Sequence, residues 1–336
     1  MPRGIELHIP FPSRISPDAD RAGERHLIWP RSHGLLNDEQ AVRKHEEARY
    51  AELAARFYPD ATGADLDLGV DLMSWFFVFD DLFDGPEGED PAAAQALVDS
   101  TMEALRLPVR SSDAPVVRAF SDLWRRSREG MSAQWRRRAA EHWRAYLQGY
   151  VTEAAHRQRG VMPTVEEHLR LRRETIGVHP TVDLAERIGR FEVPGRIHTA
   201  PWATEMRAIA AEVDTIHNDL CSVEKEEARG EMHNLLLILE RRGHRTRAEG
   251  VEEMRRMIRS RTERFLVLES RLPGLCDSSR LTEAERVPVF RFTDALRAVM
   301  RGDYDWAEGS GRYTSAGHPG EPYASPGTSD GREATR

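Results

Sequence analysis

Nine consecutive residues, Phe76-Phe77-Val78-Phe79-Asp80-Asp81-Leu82-Phe83-Asp84, set three carboxylates into the most apolar stretch of the chain. In a helix each residue turns the side-chain direction by about 100°. With Asp80 as zero, Asp84 falls at about 40° and Asp81 at about 100°, so the three acids share one side. Phe76 and Phe77, one turn earlier, fall at about −40° and about 60° on that same side. Carboxylates among apolar groups are costly to keep without a counter-ion. Oxygen donors beside aromatic rings suit a hard cation such as Mg²⁺ at the edge of an apolar cavity. The chemistry expected of this run is metal-assisted handling of a diphosphate.

A second ladder occurs at Asn218, Ser222 and Glu226. On a helix these stand at about 0°, 40° and 80° and climb one face over two turns. An amide oxygen, a hydroxyl and a carboxylate are all hard donors suited to Mg²⁺. Lys225 lies on the same stripe, where its ammonium can meet a phosphate oxygen. Alone, the ladder and its charged continuation to Arg229 read as a solvated helix face. Paired with the aspartate run, they read as the opposite wall of one metal site. In Arg172-Arg173-Glu174-Thr175-Ile176-Gly177, Arg173 precedes Gly177 by one turn, and a guanidinium can grip a phosphate bidentately. Arg312-Tyr313 adds a cation and a phenol donor. In isolation these two pairs read as surface arginines before a helix break and as a polar turn. Phe76, Phe77, Trp202 and Trp306 offer ring faces that would stabilise a carbocation. Spacing leaves Trp202 and Trp306 open between core and cavity. His142, His179 and His217 lack metal-ligand spacing and read as structural or as minor polar contacts.

The elements that must carry these residues are helices. Residues 1–40 include Pro10, Pro12, Pro17 and Pro30 and predict an irregular arm packed on the domain. From Ala41 the chain is Ala-, Leu-, Arg- and Glu-rich, with apolar residues at three- and four-residue intervals and no strict alternation. Breaks are expected at Pro59 to Gly63, Gly85 to Pro91, Arg110 to Pro115, Gly160 to Pro163, Pro194 to Gly195 and Pro273 to Ser279. Residues 41–313 then form one all-α domain. Residues 314–336, rich in Gly, Pro and Ser, predict a disordered tail.

A net charge of −8 speaks against a nucleic-acid partner. The sequence holds no apolar run long enough to span a bilayer and no apolar leader near Met1, so a cytoplasmic protein with no membrane partner is expected. Two cysteines, Cys221 and Cys276, make no disulfide framework. Of 48 basic residues all but Lys44 and Lys225 are arginine, a bias that points to a GC-rich bacterial genome of actinomycete type.

Taken together and in this order, the motifs resemble those of bacterial class I terpene synthases that make sesquiterpenes. Asp80-Asp81-Leu82-Phe83-Asp84 is similar to the family's aspartate-rich motif. Asn218, Ser222 and Glu226 match its second metal motif, Lys225 included. Arg173 and Gly177 resemble its diphosphate-sensing arginine and effector glycine, and Arg312-Tyr313 its terminal Arg-Tyr pair. The likeness runs from about Ile5 to Tyr313. It implies a single-domain helical bundle around a deep apolar pocket, three Mg²⁺ held by Asp80, Asp81, Asp84, Asn218, Ser222 and Glu226, and farnesyl diphosphate as substrate. Arg173, Lys225, Arg312 and Tyr313 would bind the diphosphate, and Phe76, Phe77 and Trp306 would face the cation. The enzyme would be a lyase that forms a polycyclic hydrocarbon, as a monomer or homodimer. His217, Cys221 and Ala307 depart from the pattern near the cavity and bear on the product skeleton. A chain-elongating prenyltransferase carries two aspartate-rich motifs, which Asn218-Ser222-Glu226 does not match. A calcium regulator fails on Leu82, which stands where an EF-hand needs an oxygen donor. A helical interaction protein leaves the four motifs unexplained.

Overall fold

The computed structural model describes residues 5–313, the side chains of 86 and 87 excepted, and among these residues every regular element is helical. Four short helices come first: α1 (Ala19–Arg25), α2 (Ile28–Ser32), α3 (Glu39–Ala48) and α4 (Tyr50–Phe57). The apolar α5 (Gly63–Leu82) follows, then α6 (Pro86–Glu89), α7 (Pro91–Glu103), α8 (Pro115–Ser127) and the long α9 (Ala133–Arg159). The second half runs through α10 (Val165–Thr175), α11 (Val178–Gly189), α12 (Gly195–His198) and the 28-residue α13 (Pro201–Ala228). It closes with α14 (Leu235–Arg241), α15 (Arg247–Ser270), α16 (Leu272–Ser278), α17 (Glu283–Gly309) and a 3₁₀ turn at Gly311–Tyr313.

Local chemistry sets the boundaries. Proline opens α7, α8 and α13, at a position whose N–H has no helical acceptor. Thr164, Thr246 and Thr282 close reciprocal capping boxes with Glu167, Glu249 and Glu285. Two expectations need correction. The arm of residues 1–40 contains α1 and α2, because Pro30 falls in the first turn of α2, where the ring breaks no hydrogen bond. The break expected at Pro273 to Ser279 is α16, since Pro273 again occupies a first-turn position. The tail expected at 314–336 lies outside the described residues.

The strand-free start of the chain is nonetheless tied down. Leu7, Ile9 and Phe11 are buried, Thr262 Oγ1 donates to the His8 carbonyl at 3.1 Å, and Arg301 Nη1 donates to the Ile9 carbonyl at 3.2 Å. The N-terminal segment therefore straps α15 to α17. Around the centre, α4 packs on α5 and α17, while α13 packs on α10, α15 and α17. Helix α9 closes the ring against α10 and α11. Trp75 of α5 is fully buried, stacks on Phe79, and donates its Nε1–H to the Val116 carbonyl at 2.9 Å. That bond fixes the rotation of α5, and with it the direction in which Phe76, Phe77 and Asp80 point.

Phe11 meets Phe265 edge-on at 5.5 Å. Replacing a buried phenylalanine by alanine costs about 3–5 kcal/mol. Phe11→Ala should therefore lower the thermal unfolding temperature clearly; an unchanged midpoint would show that the arm contributes nothing to the bundle.

Candidate active site

Seven α-helices and the final 3₁₀ turn converge on one cavity, which encloses about 700 Å³ of atom-free space including its open mouth. Its depth is apolar and aromatic: Leu53 and Phe57 from α4, Met73, Phe76 and Phe77 from α5, Val178 from α11 and Val299 from α17. Its mouth is polar, with Asp80, Tyr150, Arg172, Asn218 and Tyr313. The division follows mainly from α5, which carries Met73, Phe76 and Phe77 inward before it ends in oxygen donors, while α13 contributes the polar Asp214 and Asn218.

Each of the three aspartates has its own environment. Asp80 lines the cavity, with its side chain 48% exposed, and accepts from Tyr150 Oη at 3.3 Å and Arg312 Nη2 at 3.3 Å. Asp81 is buried between Lys44 Nζ at 2.7 Å and Arg312 Nη1 at 2.9 Å. Burial alone would raise its carboxyl, but the Arg312 and Lys44 charges prevail and hold it far below the usual range. Asp84 does not share the helix. Helix α5 stops at Leu82, so Asp84 sits in the following turn, paired with Lys225 at 2.9 Å and with Arg229. The only two lysines of the chain thus both serve this motif.

On the facing wall, Asn218 is held at both ends. Its Oδ1 accepts from Arg172 Nη2 at 3.1 Å, and its Nδ2 donates to Tyr313 Oη at 2.9 Å. One turn on, Ser222 Oγ donates to the Asn218 carbonyl at 2.8 Å. Glu226 accepts from Asn234 Nδ2 at 2.8 Å, and Asn234 also caps α14. Burial, then the neighbouring Asp219 charge, push the Glu226 carboxyl up to about 8. Asp219 itself is buried against His168 Nε2 at 2.7 Å and the Leu235 N–H at 2.8 Å, a joint that fixes α13 to α10 and α14.

The structure separates the two neighbouring arginines of α10. Arg173 turns away from the cavity to Glu212, which Arg261 also holds, whereas Arg172 enters the cavity beside Asn218. One residue on a helix is a rotation of about 100°, and the Glu212 pair decides which arginine points in. Gly177 separates α10 from α11 at φ +84°, a conformation that side chains disfavour. A Cβ there would only touch the Phe76 ring, at 3.4 Å, so the backbone angle rather than space selects glycine.

Aromatic placement follows the same sorting. Phe77 stacks on Tyr50 with centroids 4.3 Å apart and carries the Arg312 guanidinium 4.9 Å above its ring. Phe76 leans on Trp143 and Tyr146. Trp306 is not on the cavity wall. It is fully buried behind Phe77 and Tyr313, and its Nε1 donates to the Ala48 carbonyl at 2.8 Å. Trp202 is half-buried against the core, away from the cavity lining. His217, expected as a minor contact, meets Asp303 at 2.5 Å at the cavity edge. His142 of α9 lies with Asp183 and His198 outside the cavity lining, ligand atoms within 4.8 Å of one another. Arg138 at 3.5 Å already supplies the countercharge to Asp183 there. Four groups that the motifs do not single out complete the site: Lys44, Tyr150, Asp214 and Asp303. For the two acids no sequence signal separates them from solvated carboxylates on their helices.

The family profile described as "Terpene synthase family 2, C-terminal metal binding" matches residues 71–264, which carry both ladders. Pentalenene synthase of Streptomyces arenae is 50% identical over 93% of this chain and 94% of its own length. R-linalool synthase of Streptomyces clavuligerus is 40% identical over 94% of this chain and 95% of its own. The crystal structure of linalool/nerolidol synthase from Streptomyces clavuligerus superimposes with a TM-score of 0.83 at 38% identity, over 90% of this chain and all of that one. A cavity walled by oxygen donors at the ends of two helices, on this bundle and with these relatives, places the chain in the terpene synthase family.

Proposed function

We propose that this terpene synthase is a Mg²⁺-dependent sesquiterpene cyclase that ionises farnesyl diphosphate and closes the carbocation to a polycyclic hydrocarbon, with pentalenene as product. The observation that carries this reading is the division of the cavity into an apolar depth and a mouth of oxygen donors and cations. The half-identity to pentalenene synthases over nearly the whole chain supports the product. Among the described residues no helix is long and apolar enough to cross a membrane.

The donors fit the metal. Asp80, Asp81, Asp84, Asn218, Ser222 and Glu226 offer only hard oxygens, the set Mg²⁺ prefers. Glu226 keeps its proton to unusually high pH because burial and the Asp219 charge outweigh the Asn234 and Ser222 bonds and the Arg172 charge, as expected of a carboxyl that a bound cation would ionise. These six residues would hold the ions, three in number by family resemblance, and bound Mg²⁺ supplies the positive charge that a departing diphosphate needs. The chain's own cations do the rest of the anchoring. Arg172 and Tyr313 hold Asn218 from two sides, and Arg312 bridges Asp80 and Asp81, so all three stand ready at the diphosphate. Lys225 stands at the same rim on Asp84.

Ionisation breaks the C–O bond with its electron pair going to the diphosphate, and leaves an allyl cation in the apolar depth. Water must be kept out, since it would trap that cation as an alcohol. Phe76 and Tyr146 line that depth with rings whose negative quadrupoles favour the cation, and Phe77, stacked on Tyr50 and covered by Arg312, adds apolar wall beside them. Trp306 acts one layer out, by holding Phe77 and Tyr313 in place.

Purified protein given farnesyl diphosphate and Mg²⁺ should yield pentalenene by gas chromatography–mass spectrometry, and none with EDTA; absence of any hydrocarbon would refute the reading. Loss of one preorganised charge contact costs about 10²–10³ in turnover. Arg172→Gln should fall by that amount, whereas Arg173→Gln should stay within about tenfold of wild type by the same reasoning; the reverse order would return the sensing role to Arg173. The third expectation concerns pH. Glu226 holds its proton more tightly folded than unfolded, so its stabilisation is present below about 4.5 and is lost as pH rises through about 8. Thermal unfolding of the metal-free protein should lose stability across that window relative to Glu226→Gln, and Mg²⁺ should reduce the difference. Parallel pH profiles with and without Mg²⁺ would remove Glu226 from the metal site.

A further inference from the structure

Two carboxyl groups stand inside the cavity away from the oxygen ladders. Asp214 lies on α13 four residues before Asn218, one turn or about 6 Å deeper along the helix. Asp303 enters from α17, and both line the same wall. Asp214 is buried and its Oδ1 has no hydrogen-bond partner among the described residues. Asp303 is instead fixed: its Oδ2 meets His217 Nδ1 at 2.5 Å, and His217 Nε2 meets Cys221 Sγ at 3.4 Å. The ring of Tyr304 covers His217 with centroids 5.5 Å apart. A cavity that must carry a hydrocarbon cation has no structural need of two acids, one of them unpartnered.

We propose that Asp303 is a catalytic base of the cyclisation, taking the proton whose loss ends the cascade, with His217 as its positioning residue. This rests on the cyclase reading above. In the step, the C–H bond next to the cationic carbon breaks, its electron pair forms the C=C bond, and the proton bonds to a carboxylate oxygen of Asp303. On product release the acid returns that proton to water. The arrangement suits the step for three reasons. An anion in a low-dielectric cavity attracts a cation far more strongly than in water. The His217 bond holds the carboxylate in one orientation, as a preorganised group requires. Burial, then the Asp303 charge, push the neighbouring Asp214 carboxyl well above the usual range, so Asp214 keeps its own proton and does not compete with Asp303 for another.

The alternative is that the His217–Asp303 pair merely ties α13 to α17. Two variants separate the readings when incubated with farnesyl diphosphate and Mg²⁺, with diphosphate release and volatile products measured together. Asp303→Asn should release diphosphate within tenfold of wild type, while the share of the principal wild-type hydrocarbon falls at least tenfold in favour of less cyclised or hydroxylated products. Asp303→Glu keeps an anion but displaces it by one methylene, and should still give hydrocarbons with altered double-bond positions. A wild-type product distribution from either variant overturns the proposal, even at reduced rate. Loss of diphosphate release from both variants, with unfolding temperature retained, also overturns it, because the residue would then belong to ionisation. No diphosphate release from the wild-type protein would refute the cyclase reading itself and this inference with it.

Discussion

Crowded negative charge is the constraint on which the site depends. Asp80 and Asp81 at the end of α5 and Asp84 in the turn after it fall within five residues of one another beside the mostly apolar run Leu72 to Phe79, and such a group is tolerable only if cations reach it from outside. They come from three separate parts of the chain: Lys44 from α3, Lys225 and Arg229 from the end of α13, and Arg312 from the final 3₁₀ turn. Each ion pair therefore also fixes a helix. The packing of α5 between α4 and α8 supplies the apolar side of the same arrangement. Charge neutralisation and bundle assembly are one event at this end of the molecule.

This sharing has an energetic side. A buried pair such as Asp81 with Arg312 and Lys44 gains little over a well-packed apolar substitute, because both partners must be desolvated. Its retention is better explained by what the groups do when a diphosphate and metal ions replace their present partners. The same logic covers Asn218, which holds Arg172 and Tyr313 without any net charge of its own. Residues that bind one another here are those whose donors and acceptors a charged substrate would take over.

Much of this was legible in the residue order. Helical class, most breaks and the two oxygen ladders follow from periodicity, proline positions and side-chain type. What the residue order leaves undetermined has specific causes. Arg172 and Arg173 differ by one helical step, and only Glu212, brought from α13, decides which faces the cavity. Asp84 reads as helical until the helix is seen to stop at Leu82. Trp306 reads as a wall residue, but its indole N–H is used by the Ala48 carbonyl and its ring fills a second layer. Asp214 and Asp303 carry no mark in sequence, since burial of an acid is a property of the assembled bundle.

The Ala48 carbonyl also accepts from Ser310 Oγ at 2.9 Å, so two residues near the end of α17 hang on one acceptor beside α4. Those contacts close loops of 258 and 262 residues. Chain closure over such lengths is among the slowest gains in folding, because its entropy is lost before the contact rewards it. Arg312 and Tyr313 follow directly on that clamp. The cavity mouth is accordingly completed late, because Arg312 and Tyr313 reach Asp80, Asp81 and Asn218 only once that long-range closure has formed.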